Sequence, residues 1–247
     1  MTTPYWTDGT VSLYLGDCRG VLPTLGVTAD LVVADPPYGE TSLAWDRWPT
    51  GWLVTAASVT SSLWCFGSMR MFLDNAHEFA GWKFSQDVIW EKQNGSGFAT
   101  DRFKRVHEHV THWYRGDWGG VHHDTPRVHV SHRTKGNASR GQVPHTGKIG
   151  SATWTDDGTR LTRSVIQHPS MWRRGAIHPT EKPIGILDPL IRYACPPGGL
   201  VVDPFAGSGS TLDAARAAGR RAIGIEANEA YAEKAARRLD QLTLDTA

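Results

Sequence analysis

Seven short runs along the chain have the apolar character of β-strands: Val11–Leu15, Leu31–Asp35, Ser62–Phe66, Phe84–Trp90, His109–Tyr114, Leu200–Asp203 and Ala222–Glu226. Several are apolar throughout, as strands covered on both faces are. Helical periodicity predicts helices at Gly51–Thr60, Met69–Phe79, Ile184–Ala194, Thr211–Ala218 and Asn228–Leu242. The last is the clearest: Asn228 is placed to cap it, and Tyr231, Ala235, Leu239 and Leu242 share one face. Strands alternating with helices predict an α/β fold built on an open, mostly parallel sheet. Such sheets bind ligands beyond the carboxyl ends of their strands. Gly116 to Gly150 breaks the pattern, being rich in Gly, His, Arg, Thr and Ser. A structureless loop of that length is uncommon inside a compact domain and is usually functional or disordered. Trp154, Trp172 and Ser164-Val165-Ile166 predict that ordering resumes after about residue 151.

Two predicted strands end in chemistry. Leu31-Val32-Val33-Ala34 runs into Asp35-Pro36-Pro37-Tyr38. Proline supplies no N–H, so this bend is rich in acceptors. A carboxylate and free carbonyls suit an exocyclic amine, and Tyr38 suits the flat ring that carries it. Alone, the tetrapeptide also reads as a strand terminator with a surface tyrosine. The second segment shifts that balance. Leu200-Val201-Val202-Asp203 runs into Pro204-Phe205-Ala206-Gly207-Ser208-Gly209 and an Ala-rich helix. Strand, glycine turn and helix let backbone approach a nucleotide-like ligand. No third glycine follows at the dinucleotide spacing, but the next strand ends in Glu226, 17 residues past Gly209. An acid there typically accepts from ribose hydroxyls.

With these residues the chain resembles the beta class of DNA amino-methyltransferases, the permuted adenine-N6 and cytosine-N4 family. Asp35-Pro36-Pro37-Tyr38 looks like its catalytic motif, and Asp203 to Gly209 like its S-adenosylmethionine motif. His178-Pro179-Thr180-Glu181-Lys182-Pro183 looks like the cofactor motif that precedes it. Weaker matches are Tyr14-Leu15-Gly16-Asp17-Cys18, and Val88-Ile89-Trp90-Glu91-Lys92 followed by His107-Glu108. The likeness fades between about Arg115 and Gly175.

The resemblance implies a Rossmann-like, permuted class I methyltransferase fold with a seven-stranded sheet. It implies one domain over residues 1–247, with a target-recognition region inserted at 115–175. S-adenosylmethionine is the implied cofactor and double-stranded DNA the implied substrate. Asp203, Pro204, Phe205, Gly207, Ser208 and Gly209 would line the cofactor, and Glu226 would bind its ribose. Asp17 would contact its adenine end, unless it is simply a helix N-cap. Thr180 and Lys182 would reach its methionine carboxylate. Asp35 and the Pro36 carbonyl would accept from the target amine, with Pro37 shaping the bend and Tyr38 stacking on a base flipped out of the duplex. Aspartate in the first motif position favours adenine over cytosine. Among relatives, dimers are common and a cognate restriction endonuclease is a potential partner; no residue here argues for either.

Charge adds one observation. The net charge is +1 over 247 residues, yet Arg102 to Gly175 holds 13 Lys/Arg against five Asp/Glu, and nine of the 11 histidines. A basic middle on an acidic body is the footprint of a nucleic-acid binder; a solvated insertion is the other reading. Arg102, Lys104, Arg105, Arg127, Arg133, Lys135, Arg140 and Lys148 are candidate phosphate contacts. Three scattered cysteines, Cys18, Cys65 and Cys195, give no disulfide framework. No signal-peptide pattern and no apolar run of about 18 residues is seen, so a cytoplasmic location and no membrane span are expected. Zinc at the crowded histidines is disfavoured, because no Cys pair or H-x-x-x-H helix accompanies them; no metal is expected. Protein glutamine, RNA and small-molecule methyltransfer are the remaining alternatives, with a catalytically inert DNA-binding module, against which the intact Asp35, Gly207 and Gly209 argue. Trp45 is expected to pack in the core, with pocket closure as its other role.

Overall fold

The computed structural model describes residues 2–43, 45–96, 100–130, 157–169 and 181–244. It has two compact units, Met1–Asp124 with Ser164–Ala247, and Thr125–Arg163. In chain order the larger unit contains β1 (Trp6–Thr7), β2 (Val11–Leu15), α1 (Cys18–Leu25), β3 (Leu31–Ala34), α2 (Trp52–Val59), β4 (Ser62–Gly67), α3 (Met69–Asp74), β5 (Lys83–Ser96) and β6 (Arg105–Tyr114). The smaller unit contributes an antiparallel pair, β7 (Arg127–His129) with β8 (Thr159–Leu161). The larger resumes with β9 (Val165–Gln167), α4 (Ile184–Ala194), β10 (Leu200–Asp203), α5 (Ser210–Ala217), β11 (Arg221–Glu226) and α6 (Glu229–Leu244).

The sheet of the larger unit runs β1-β2-β11-β10-β3-β4-β6-β5-β9. The β2-β11-β10-β3-β4 block is parallel, β6 is antiparallel to β4 and β5, and β9 lies parallel to β5. All seven predicted strands are present, and β1 and β9 add short edges. From β10 the chain passes through α5 to β11 on one side; from β3 it passes through α2 to β4 on the other. The strand order therefore reverses between β10 and β3, which opens a crevice at their carboxyl ends. Val202 pairs with Val32 there.

Strand alternation divides the core in two. Leu31 and Val33 join the cluster that includes Ile186, Leu190, Leu212 and Leu239 of α4, α5 and α6. Val32 and Ala34 join the cluster that includes Leu22, Trp52, Leu53 and Met71 of α1, α2 and α3. All four are at most 1% exposed, which is why this strand reads as a continuous apolar run.

Some expected elements differ. The predicted strand Leu31–Asp35 ends at Ala34, because Pro36 and Pro37 have no N–H for the ladder. The predicted helix Met69–Phe79 breaks at Asn75 into a 3₁₀ turn over Ala76–Phe79. The helix α1 is absent from the sequence reading, since Gly20 and Pro23 weaken its propensity. Asp17 caps it by accepting from Arg19 N, and Gly26 ends it at φ 60°. The strands β5 and β6 extend past their apolar cores through polar residues such as Glu91, Lys92 and Glu108. Trp45 is 42% exposed rather than packed in the core.

One buried group makes stability depend on pH. His112 of β6 is fully buried, with Trp64, Tyr193 and Trp118 around it, and Ser62 Oγ lies 3.1 Å from its Nε2. Burial, helped by nearby His123, pushes its pKa down to about 4. The unfolded chain therefore binds a proton between about pH 6.5 and 4 that the folded chain refuses. Its stability contribution is intact above pH 6.5 and is lost as pH falls towards 4, about 3 kcal/mol in all. Denaturant unfolding of wild type and His112→Gln at pH 7.5 and 4.5 should give the wild type the steeper loss. Equal losses would rule this origin out.

Candidate active site

The two predicted motifs meet in the crevice. Asp35 immediately follows β3 and Asp203 ends the neighbouring strand β10, although 167 residues separate them in the chain. Asp203 is 3% exposed and accepts from Phe205 N at 2.9 Å. Burial raises its pKa to about 7, against the pull of the Thr211 hydroxyl and of Phe205 N. The turn continues through Pro204 and Ser208, both buried, and has positive φ at Gly207 (51°) and Gly209 (78°). Only glycine takes such angles without strain. A Cβ at Gly207 would meet a single atom within 4 Å, the Phe205 carbonyl oxygen at 3.8 Å, so the turn is open there. At Gly209 a Cβ would come within 3.2 Å of Ala235 Cβ, so this glycine lets α6 approach.

Glu226 ends the next strand, β11. Its Oε2 accepts from Gly207 N and its Oε1 from Asn228 N, both at 2.8 Å. Burial raises its pKa, opposed by those two N–H groups. The carboxylate thus braces the glycine turn from behind while keeping lone pairs for a further donor. Asp17 follows β2, whose Leu15 pairs with Glu226. Its carboxylate caps α1 and forms an ion pair with Arg19 at 2.5 Å; the Arg19 hydrogen bonds hold its pKa down. A turn open at Gly207, flanked by carboxylates at the tips of β10 and β11, fits a nucleoside that offers hydroxyl and amine donors.

At β3 the acceptors are already engaged. Asp35 Oδ1 accepts from the Tyr38 hydroxyl at 2.8 Å, and Oδ2 lies 2.5 Å from Lys182 Nζ. Asp35 has the parity of Leu31 and Val33, whose face α4 covers, and Lys182 lies two residues before α4. Pro36 is buried and Pro37 half-buried. Burial, with Asp35 and Glu108 nearby, raises the Tyr38 pKa. The loop after Tyr38 is tied by Asp46, which accepts from Gly39 N at 2.8 Å and Thr41 N at 2.7 Å. Glu40 binds the Ser68 hydroxyl and Arg105, the latter at 3.3 Å.

The sequence reading had no role for Glu108, Lys92, Asp46 or Glu40. Glu108 and Lys92 fall in a weak motif match, but polar residues at strand ends look like ordinary solvent-facing ones. In the fold, β6 runs antiparallel, so its early residues reach the edge where β3 and β4 end. Glu108 is there 3.6 Å from Lys182 Nζ, and its other oxygen is 2.5 Å from Lys92 Nζ.

Of the candidate phosphate contacts, Arg102 is exposed beside Asp101 and Lys104 is exposed. Arg127, in the smaller unit, faces Asp157 at 3.5 Å and donates to Thr159 Oγ1. Thr180, Arg133, Lys135, Arg140 and Lys148 lie outside the described residues. Among the described residues no group of His, Cys, Asp and Glu is placed to hold a metal ion. No helix among them is long and apolar enough to cross a membrane.

A family model described as DNA methylase, covering N6 and N4 methyltransferases, matches residues 29–237. The chain belongs to the N6/N4 DNA methylase family. This methylase is 31% identical over 239 residues to the candidate methylase YubD of Escherichia coli (strain K12), covering 91% of this chain and 88% of that protein. It is 26% identical over 270 residues to the type II methyltransferase M2.DpnII of Streptococcus pneumoniae, covering 97% and 93%. The methylase shares its fold with M1.HpyAVI, solved in complex with S-adenosylmethionine, at a TM-score of 0.67 and 20% identity over 93% of this chain and 99% of that one. It also shares it with the cytosine-N4-specific PvuII DNA methyltransferase, at 0.68 and 16% over 96% and 89%. The observed fold is thus the class I methyltransferase fold that the motifs implied.

Proposed function

We propose that this methylase transfers a methyl group from S-adenosylmethionine to the exocyclic N6 amine of an adenine flipped out of double-stranded DNA. The observation that carries this is Asp35 at the tip of β3, beside the glycine turn and Asp203 of β10, at the reversal point of the sheet. The cofactor supplies a methyl already activated by its sulfonium. The chain's own task is to prepare a weak nucleophile, since the lone pair of the amine is delocalised into the base.

The Asp35 carboxylate and the Pro36 carbonyl accept the two amine protons. This favours a pyramidal nitrogen and aims its lone pair away from the ring, stabilising the positive charge that grows there. Asp35 need not remove a proton before transfer: the methyl passes from the sulfonium, which is left as a neutral thioether, and the cationic methylated amine then releases one proton. Tyr38, held to Asp35 Oδ1, offers its ring as the stacking surface. Asp203 and the Gly207–Gly209 turn hold the cofactor, Glu226 its ribose hydroxyls and Asp17 its adenine end. The basic middle of the chain supplies phosphate contacts.

The chemistry of the amine is the same in cytosine; the preference for adenine rests on the aspartate at position 35. Unmethylated plasmid DNA incubated with tritiated S-adenosylmethionine, then digested to nucleosides and chromatographed, separates the readings. Label in N6-methyladenine is expected. Label in N4-methylcytosine would keep the mechanism and replace the base. Absence of label in DNA while the cofactor binds would overturn the substrate assignment.

A further inference from the structure

Lys182 touches the catalytic carboxylate, a role beyond the cofactor contact that its motif implies. Its side chain is 6% exposed and its Nζ lies 2.5 Å from Asp35 Oδ2. Phe66 and Tyr38 present their rings to the ammonium, with centroids 5.1 and 6.0 Å away. A protonated amine between aromatic rings and on Asp35 occupies the kind of position that the target amine needs. A second acceptor stands ready for it. Glu108 Oε2 is 3.6 Å from the same ammonium, is buried, and makes no hydrogen bond. A buried carboxylate oxygen left without a hydrogen bond is costly. Glu108 Oε1 is anchored by Lys92 at 2.5 Å, so the waiting oxygen is held in place.

We propose that Lys182 is a positioning residue shared between Asp35 and Glu108. It orients the Asp35 carboxylate before the base arrives, and it moves its hydrogen bond to Glu108 Oε2 when the target amine takes its place on Asp35. The displacement is on the order of one ångström, and the ammonium never leaves a carboxylate, which is what makes it feasible in a buried site. This rests on the methyl-transfer reading above.

The charges around the ammonium fit the role. Asp35 and Tyr38 face it from the loop after β3 and Glu108 from β6, with Lys92 of β5 behind Glu108. Arg105 of β6 acts on Glu108, Cys65 of β4 lies near Asp35 and Lys182, and Asp203 of β10 lies near Asp35. Burial alone would strip the proton from Lys182, but Asp35 and Glu108 outweigh it and keep the side chain cationic. Burial alone would likewise favour a neutral Glu108, but Lys182 and Lys92 keep it ionised.

The test is steady-state methylation of plasmid DNA across pH 5.5–9 by wild type, Lys182→Gln, Lys182→Arg, Glu108→Gln and the Lys182→Gln/Glu108→Gln double variant, with cofactor affinity by calorimetry. Lys182→Gln leaves Asp35 and Glu108 without the cation they share, Lys92 remaining on the far oxygen of Glu108. It is expected to lower kcat about 10²-fold, to move the acid limb of the profile to higher pH, and to leave cofactor Kd within about twofold. Lys182→Arg should retain more activity than the glutamine variant. Glu108→Gln should lower kcat about 10-fold, and the double variant should be no slower than Lys182→Gln alone, because the two residues act as one unit. Additive losses, or an unshifted profile, would overturn the sharing. So would a cofactor Kd raised tenfold with kcat intact, which would return Lys182 to the cofactor. If Lys182→Gln does not fold, Glu108→Gln and Lys182→Arg still decide, since wild-type kinetics in both would refute it. No incorporation by wild type would instead overturn the methyl-transfer reading and the sharing with it.

Discussion

Asp35→Ala is expected to lower kcat for methyl transfer by about 10³-fold, the loss typical when a preorganised partner of developing charge is removed. Asp35 is where three requirements coincide. It follows β3 beside β10, close enough to Asp203 for the two carboxyl groups to repel. Its Oδ1 fixes the Tyr38 hydroxyl at 2.8 Å, so the same side chain sets the stacking ring. Its Oδ2 holds Lys182 at 2.5 Å. Alanine removes the amine acceptor, frees Tyr38, and leaves Lys182 with Glu108. Asp35→Asn is the sharper control: it keeps shape and one acceptor oxygen but loses the charge, and its kcat should fall between the two. Single-turnover methylation of plasmid DNA at saturating cofactor, paired with calorimetric titration of S-adenosylmethionine, reads both effects. Cofactor affinity should stay within a few-fold. An alanine variant that kept more than a tenth of wild-type kcat would remove Asp35 from the chemistry.

The second large effect is expected at Glu226, on binding rather than on chemistry. Its carboxylate accepts from Gly207 N and Asn228 N, which joins the glycine turn to the start of α6. Hydrogen bonds to a charged group contribute roughly 1.5–3 kcal/mol each. Losing the brace at Gly207 and the acceptor for the ribose hydroxyls should raise the Kd of S-adenosylmethionine about 10²-fold in Glu226→Ala, with kcat at saturating cofactor changed little. Glu226→Gln keeps one acceptor oxygen and should lose less. Calorimetry on both variants, with thermal unfolding to verify the fold, measures this. An alanine variant that bound the cofactor normally would leave Glu226 a purely structural brace.

The base that is modified and the recognition of DNA have different roots. On the proposed mechanism the base is set by the pocket around Asp35, in the larger unit. Arg127, a candidate phosphate contact, stands on the β7–β8 pair of the smaller unit. A change there should alter the efficiency and salt dependence of DNA binding without altering which amine is methylated.

By itself the sequence determined the strands of the sheet, their alternation with helices, and the two strand-end motifs. Runs such as Leu31–Ala34 and Leu200–Asp203 admit no other reading once they end in Asp-Pro-Pro-Tyr and in a glycine turn, because each signal is local: residues buried on both faces, a proline stop, a left-handed glycine. The helix Cys18–Leu25 was hidden for an equally local reason, since its Gly20 and Pro23 argue against a helix that Asp17 capping and burial of Cys18 and Leu22 nevertheless hold. What only the tertiary structure decided is which charges meet. Lys182 lies 147 residues from Asp35, and Glu108 and Lys92 sit on strands whose polar ends resemble solvent-facing surface. Nothing in their own neighbourhoods marks them as partners. The antiparallel insertion of β6 next to β4, and the placing of α4 over the face of β3, bring them into one buried cluster, because Coulomb attraction depends on distance in space and burial and is blind to separation along the chain.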